Sequence, residues 1–172
     1  MKPLSLTRQA SFCLHLTMIL DPTTLQSGLT AWLDPPSTSP AESAAKFANA
    51  IKTYTLLAQA PGPINPLVVE AALPALQATM TVINTVGLPT AFTQGIEQAL
   101  TVFWTQVAST GGFAGGLAAV ITPTLQPQLI PALLAGMAGA SAAVVATTIA
   151  TAIDIWTRTI LITTVLSPIP IT

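Results

Sequence analysis

The chain has 172 residues, of which 51% are hydrophobic and only 6% are charged, and its formal net charge is -1. This is the length of one ordinary domain, and the scarcity of Lys and Arg excludes the electrostatic footprint that nucleic-acid-binding proteins carry. A soluble monomer normally keeps roughly a quarter to a third of its surface charged. Much of this surface must therefore face protein, lipid or a wet interface made by Thr and Ser.

Residues 1–21 are the first predicted element, an N-terminal arm. Lys2 and Arg8 precede an apolar patch as in a signal peptide, but His15 interrupts this patch and no small-x-small cleavage site follows. We therefore expect an arm of the mature chain. The single cysteine, Cys13, excludes an internal disulfide, and its spacing of two from His15 would not place both side chains on one helix face. We expect neither a metal nor a cofactor.

Proline and capping residues mark successive helix starts in residues 22–158, which we expect to form one helical domain. Asp21-Pro22, Ser39-Pro40 and Asn65-Pro66 each place a side-chain acceptor before a proline at the first helical position. Together with apolar residues at a period of about 3.6, these signals predict a mainly α fold. The expected fold is a helical bundle of about five helices with an extended, β-like C-terminal segment; the helices fall near 22–33, 39–60, 66–86, 89–109 and 127–157.

Two details of this pattern carry further expectations. Pro74 should kink or split the third helix, because it removes an amide donor and clashes with the preceding turn. Residues 109–127 form a long connection with four glycines. A phosphate-binding loop would need a following Lys and a strand–loop–helix setting, so we favour an adaptable loop that packs against a neighbour.

No Asp, Glu, Lys or Arg occurs between Glu97 and Asp154, and the run at 129–153 is long enough to span a membrane. Its Gly, Ser, Thr and Pro content weakens that interpretation, and positive flanks are missing. Small residues spaced by four instead favour a helix that packs closely against another helix. On this interpretation Gly136→Leu should block folding or assembly by overpacking. The two series are Ala132, Gly136 and Ala140, and Ala135, Gly139 and Ala143.

Residues 159–172 are expected to form an extended tail. The β-branched residues at its start favour a strand, and Pro168 and Pro170 cannot continue a helix. A five-helix body would offer this tail no sheet edge, so we expect its main contacts to be with another chain.

Catalytic interpretations find little support in the sequence. Glu70, Glu97 and Asp154 are a conceivable carboxylate pair or triad, but no spacing favours it over separate solvated or paired acids. Trp32, Trp104 and Trp156 lack the basic neighbours of a nucleic-acid stacking platform, which favours roles as core or interface anchors. We expect no enzymatic activity.

Residues 88–166 resemble a type of small virion structural protein encoded by tailed bacteriophages, which is rich in Ala, Thr and Pro and poor in charge. The shared order is an aromatic "FW" helix, a Gly/Pro loop, an Ala-rich helix, an "AID…TRT" segment and a β-branched end. The matching positions are Phe92, Gly95, Phe103, Trp104, Pro123, Ala152, Asp154, Thr157, Arg158 and Thr159.

The resemblance implies a non-enzymatic structural component of the virion, present in the host cytoplasm during assembly. Its expected partners are other virion proteins and copies of itself, without nucleic acid. The resemblance does not say where in the particle the protein lies; we slightly prefer the neck, tail or baseplate over the head. The alternatives are a small helical membrane protein with a span near 129–153 and, third, a helical adaptor. The predicted assembly interface comprises Ala132, Gly136, Gly139, Ala140, Trp104, Trp156, Ile160, Ile162 and Val165.

Overall fold

The computed structural model describes residues 20–57, 59–60, 62–86, 89–112, 118–121 and 124–164. This part of the chain is mainly α, with six helices packed in a bundle. The helices are α1 (Pro22–Leu33), α2 (Pro40–Leu56), α3 (Pro66–Val86), α4 (Pro89–Ser109), α5 (Gln126–Met137) and α6 (Ala142–Arg158). The predicted mainly α class is confirmed, with six helices in place of about five. The predicted arm lies almost entirely outside the described residues.

The helix starts follow the local signals in the sequence. Asp21 Oδ1 accepts the amide of Thr23 at 2.9 Å, and Asn65 Oδ1 accepts that of Leu67 at 3.1 Å. Ser39 Oγ accepts the amide of Glu42 at 3.1 Å. These short-range acceptors satisfy amides that have no partner within the helix.

Each helix packs against the next in the chain, and α6 packs against α1, so the six helices close into a ring of neighbours. Apolar side chains from all six helices fill the centre. The largest fully buried ones are Trp104, Trp156, Tyr54, Phe47, Phe103, Leu25, Leu29, Ile51, Leu76, Met80, Ile96 and Leu100.

Close helix approach occurs at glycines other than the predicted ones. A Cβ on Gly28 of α1 would lie 2.7 Å from the Cβ of Ala50 in α2. A Cβ on Gly95 of α4 would lie 2.3 Å from a side-chain carbon of Ile83 in α3. Both distances are far below van der Waals contact, so these two positions require glycine for the observed packing.

The predicted single helix at 127–157 is wrong, because α5 and α6 are separated by a turn at residues 138–141. Gly139 has a φ of 79°, a left-handed conformation that glycine adopts without steric cost. The amide of Ala140 donates to the carbonyl of Ala135 at 3.0 Å, and that of Gly139 donates to Gly136 at 3.1 Å. This pair of hydrogen bonds is a Schellman motif, which ends a helix. Ser141 then caps α6 through the amide of Val144 at 3.4 Å.

The same turn interrupts the stretch near 129–153 that the membrane alternative takes as a span. It leaves helices of 12 and 17 residues, whereas a span needs about 20. Among the described helices, only α3 is long and apolar enough to cross a membrane, over Pro66–Thr85, and 33% of that stretch is buried inside the body. Pro74 does not split α3; it is exposed, so the carbonyl that loses its amide donor faces water.

Two short antiparallel strand pairs accompany the helices. One joins β1 (Gln59–Ala60) to β2 (Gly62–Pro63), and the other joins β3 (Ala118–Ile121) to β4 (Leu161–Thr164). The expectation that the chain offers no sheet edge to its own C-terminal segment is therefore wrong, because β3 supplies one.

Candidate assembly surface and adjoining cavities

Four of the predicted interface residues lie in the core of their own chain. Trp104 is 1% exposed, Trp156 is 0%, Ala132 is 1% and Ile160 is 5%. Packing within one chain already covers these side chains, and their assignment to an intermolecular interface stays a prediction. The two tryptophans are buried in the core of their own chain, one of the two roles, core or interface anchor, that the sequence favoured over a stacking platform.

The small-residue series also has a different role from the predicted one. Gly139 lies in the turn after α5, and a Cβ there would meet nothing within 4 Å. A Cβ on Gly136 would lie 3.6 Å from Val145, which is ordinary contact distance. Ala140 follows Gly139 in the same turn and is partly exposed. No helix of the same chain packs closely against Gly136 or Gly139, because the turn takes the series off a single helix face, and close packing there against another chain stays a prediction.

The tail is only partly described. Ile162 lies in β4 opposite Val120 of β3 in the same chain, and Val165 lies outside the described residues. The pairing with β3 satisfies one edge of β4 within the same chain. Contact of Ile162 with another chain stays a prediction.

The outer face of α5 carries three of the large apolar side chains that the described body leaves exposed; others, such as Leu67 and Val82 on α3, lie elsewhere. Ile130 is 47% exposed, Leu134 58% and Met137 68%. Their spacing of four and three places them on one side of the helix. We call these three residues the α5 face. Scattered exposed apolar residues are normal, but a row of them on an uncharged surface marks an interaction site.

The outer face of α6 is apolar for a different reason. Val144 and Ile155 are about half exposed, and three threonines lie between them. The hydroxyls of Thr147, Thr148 and Thr151 donate to the carbonyls four residues earlier, at 2.7, 3.0 and 2.8 Å. Each donor is thereby satisfied by its own helix, so the threonine methyl groups contribute apolar surface.

Charged side chains of the described residues are concentrated away from α5 and most of α6. Glu42 pairs with Lys46 at 3.2 Å on α2, and Lys52 of α2 pairs with Glu70 of α3. Hydrogen bonds from Thr38 and the neighbouring Lys46 lower the pKa of Glu42 from 4.5 to about 2. The mixed-charge surface that a soluble protein needs is thus provided by α2 and the start of α3.

The three carboxylates considered as a catalytic set do not meet. Glu70 pairs with Lys52. Glu97 of α4 accepts the amides of Leu125 and Gln126 at 3.0 and 2.9 Å, and so caps α5 from another helix. Asp154 lies on α6 with its own partners. Glu97 was missed as a cap, although it is the last acid before an uncharged helix that begins without a side-chain cap of its own.

Asp154 forms the polar centre of the core. Its carboxylate accepts the Tyr54 hydroxyl at 2.8 Å and the Nε of Arg158 at 2.8 Å. Arg158 also donates to the carbonyl of Leu20 at 2.8 Å. Burial, and then the hydrogen bond to the carboxylate, raise the pKa of Tyr54 well above its ordinary 10.0. These contacts join α2, α6 and the start of the body, so we read the group as structural.

Two cavities share lining residues, and the first of them borders α5. The first has a volume of about 320 Å³ and apolar walls from α1, α4, α5 and α6, including Phe92, Ile96, Leu129, Gly136 and Val145. The second, of about 460 Å³, is lined by the polar loop before α2, and the two share Trp32, Leu33 and Phe92.

Within the described residues, no group of three or more His, Cys, Asp or Glu side chains is placed to hold a metal ion. The core of the Gly-rich connection, at residues 113–117, lies outside the described part, as do Cys13 and His15.

Comparison of the chain with protein-family models, with curated proteins and with solved structures gave no match.

Proposed function

We propose that this chain is a non-enzymatic structural subunit of a tailed-phage virion that assembles in multiple copies through apolar surfaces. The observation that carries the proposal is the α5 face, where three large apolar side chains stand exposed on a helix without charges. Such a row is costly in water for a monomer and becomes favourable when a neighbour covers it.

The outer face of α6 supports the same proposal. Its threonine hydroxyls donate to carbonyls of their own helix. Burial against a neighbour would therefore leave none of these donors without an acceptor. Permanent interfaces are more apolar than transient ones and resemble a domain core cut in half. A helical pair whose only charges are the Asp154–Arg158 ion pair at the end of α6 therefore fits a subunit made for one lasting assembly.

The proposal that the chain is a virion component is supported by the resemblance of residues 88–166 to small virion proteins. We propose the neck, tail or baseplate in preference to the head, with other virion proteins and copies of this chain as partners and without nucleic acid. The five Lys and Arg residues of the whole chain are too few for a nucleic-acid surface.

Self-assembly is tested by Leu134→Glu, which places a charge at the centre of the α5 face. We expect the wild-type chain to sediment as an oligomer, and the variant to shift towards the monomer because burying an unpaired carboxylate is unfavourable. Asn49→Glu is the matched control, since Asn49 is exposed on α2, and it should leave the oligomer intact. A wild-type chain that stays monomeric, or a variant that assembles normally, would contradict the proposal.

The virion location needs a separate measurement. Particles of the phage that encodes the chain should contain it in a fixed ratio to the other structural proteins after gradient purification and mass spectrometry. Flotation of the purified chain with liposomes, carried by α3, would instead favour the membrane alternative.

A further inference from the structure

The first of the two cavities has small residues in its wall, which leave its volume unfilled. Glycine occupies position 136 in its wall, although a Cβ there would lie at an ordinary 3.6 Å from Val145. Ala132 is another small residue in the same wall. A volume of about 320 Å³ falls within the range of small-molecule sites, about 300–1,000 Å³, and exceeds the roughly 150 Å³ of an engineered cavity that binds benzene.

Trp32 lines both this cavity and the second one, and its side chain is held in place. Its Nε1 donates to Ser43 Oγ at 2.8 Å, and its ring meets Phe47 edge-on at 5.0 Å. The ring of Phe92 lies parallel to it at 6.2 Å. Since the indole donor is satisfied and two aromatic rings pack near the indole, this wall is preorganised for a ligand.

The second cavity is polar but carries no charge among its described lining residues. Ser37, Thr38, Ser39, Ser43 and Asn84 supply hydroxyl and amide groups beside the aromatic wall. Ser37 Oγ is buried without a hydrogen-bond partner in the described part of the chain. A rotation about its single side-chain bond would let it pair with a polar group in this cavity.

Lys46, on the helix that follows the polar loop, is not available to bind an anionic ligand because it is already paired. Lys46 Nζ lies 3.2 Å from Glu42 and donates to the carbonyl of Pro35 at 3.1 Å. Glu42 in turn accepts the amide and hydroxyl of Thr38. The charges beside the polar cavity are thus already paired.

We propose that the two cavities form one binding site for a neutral amphiphile. An unbranched alkyl chain occupies the apolar cavity, against Trp32, Ile96 and Val145, and an uncharged hydrogen-bonding head group occupies the polar one. The walls of this site come from one chain, and Met137 belongs both to the apolar cavity and to the α5 face.

Decanol, kept below its solubility limit, is the probe. Isothermal titration calorimetry of the full chain should show saturable binding of one molecule per chain, with a negative heat-capacity change from apolar burial. Decanoate and decylammonium at pH 7 should bind at least tenfold more weakly. Absence of saturable decanol binding would overturn the site, and equal binding of either ion would overturn the neutral head group.

Gly136→Leu fills the apolar cavity and should weaken decanol binding at least tenfold. Val145→Phe fills it from α6 and provides a second variant should the first fail to fold, with far-UV circular dichroism as the check. Ala143→Leu introduces the same leucine side chain at an exposed position of α6 and should bind decanol as the wild type does. Unchanged binding in a folded cavity variant would place decanol elsewhere and overturn the proposal.

Discussion

Single residues divide into those whose partner is near in sequence and those whose partner is distant. The caps Asp21, Ser39 and Asn65 act on amides two or three residues away, so the sequence alone predicts them. Tyr54 and Asp154 are separated by 100 residues, and no local pattern indicates that they meet. The spacing of four between Asp154 and Arg158 predicted their ion pair. Neither the burial of Asp154 nor its hydrogen bond from Tyr54 could be predicted.

Tyr54 is the only tyrosine of the chain, so its ionisation can be followed directly. Burial and Asp154 raise its pKa above the ordinary 10.0, which means that the folded state favours the neutral phenol. This stabilisation is complete below the unfolded pKa and is lost as the pH rises above about 10. We expect no phenolate absorbance at 295 nm in the folded protein at pH 10.5, and its appearance only together with unfolding. A titration with a midpoint near 10 and intact helicity would contradict this.

Gly139 shows how one residue changes an element. Periodicity could not reveal the break after Met137, because a glycine inside a helix costs only about 1 kcal/mol and the apolar pattern continues on both sides. The break depends on a left-handed backbone and on hydrogen bonds that only the folded turn contains. For the same reason, the close approach of α1 to α2 at Gly28 was not predicted.

Substitution by alanine at two glycines of this region should have opposite effects. Gly139→Ala should lower the free energy of unfolding by about 1 kcal/mol or more, because its φ is 79°. Gly136→Ala, within α5 and free of any close contact, should be neutral or stabilise by up to about 1 kcal/mol. Urea denaturation measures both. Equal effects of the two changes would mean that the turn does not require glycine.

The start of α5 depends on a residue of another helix. Glu97→Ala should lower the free energy of unfolding by about 1–2 kcal/mol, because two helix amides lose their acceptor. Hydrogen exchange should accelerate at Leu125 and Gln126 first. The exposed neighbour Gln98→Ala is the control and should leave both measurements unchanged. Unaltered exchange in Glu97→Ala would show that the cap contributes nothing.

For the whole molecule, composition predicted that part of the surface needs covering, but not where that surface lies. The shortage of charge indicated a surface that needs covering, and the α5 face is where the described body leaves large apolar side chains exposed on a helix without charges. Composition could not indicate that the tryptophans and Ala132 are internal, since burial depends on how helices distant in sequence pack. The cavities were equally unpredictable, because they lie among residues of several elements.

The contact between α1 and α6 has a kinetic consequence. It joins the two ends of the helical body, with Arg158 bonded to the carbonyl of Leu20 at 2.8 Å, so it forms only after nearly the whole chain has closed into a loop. Loop closure of that length slows folding. A circular permutant that joins Thr172 to Met1 and opens at Gly139 shortens the sequence separation of this contact from 138 residues to roughly 34, and should fold faster while keeping its helical spectrum. A permutant that folds more slowly would show that the α5–α6 turn, and not the α1–α6 contact, sets the folding rate.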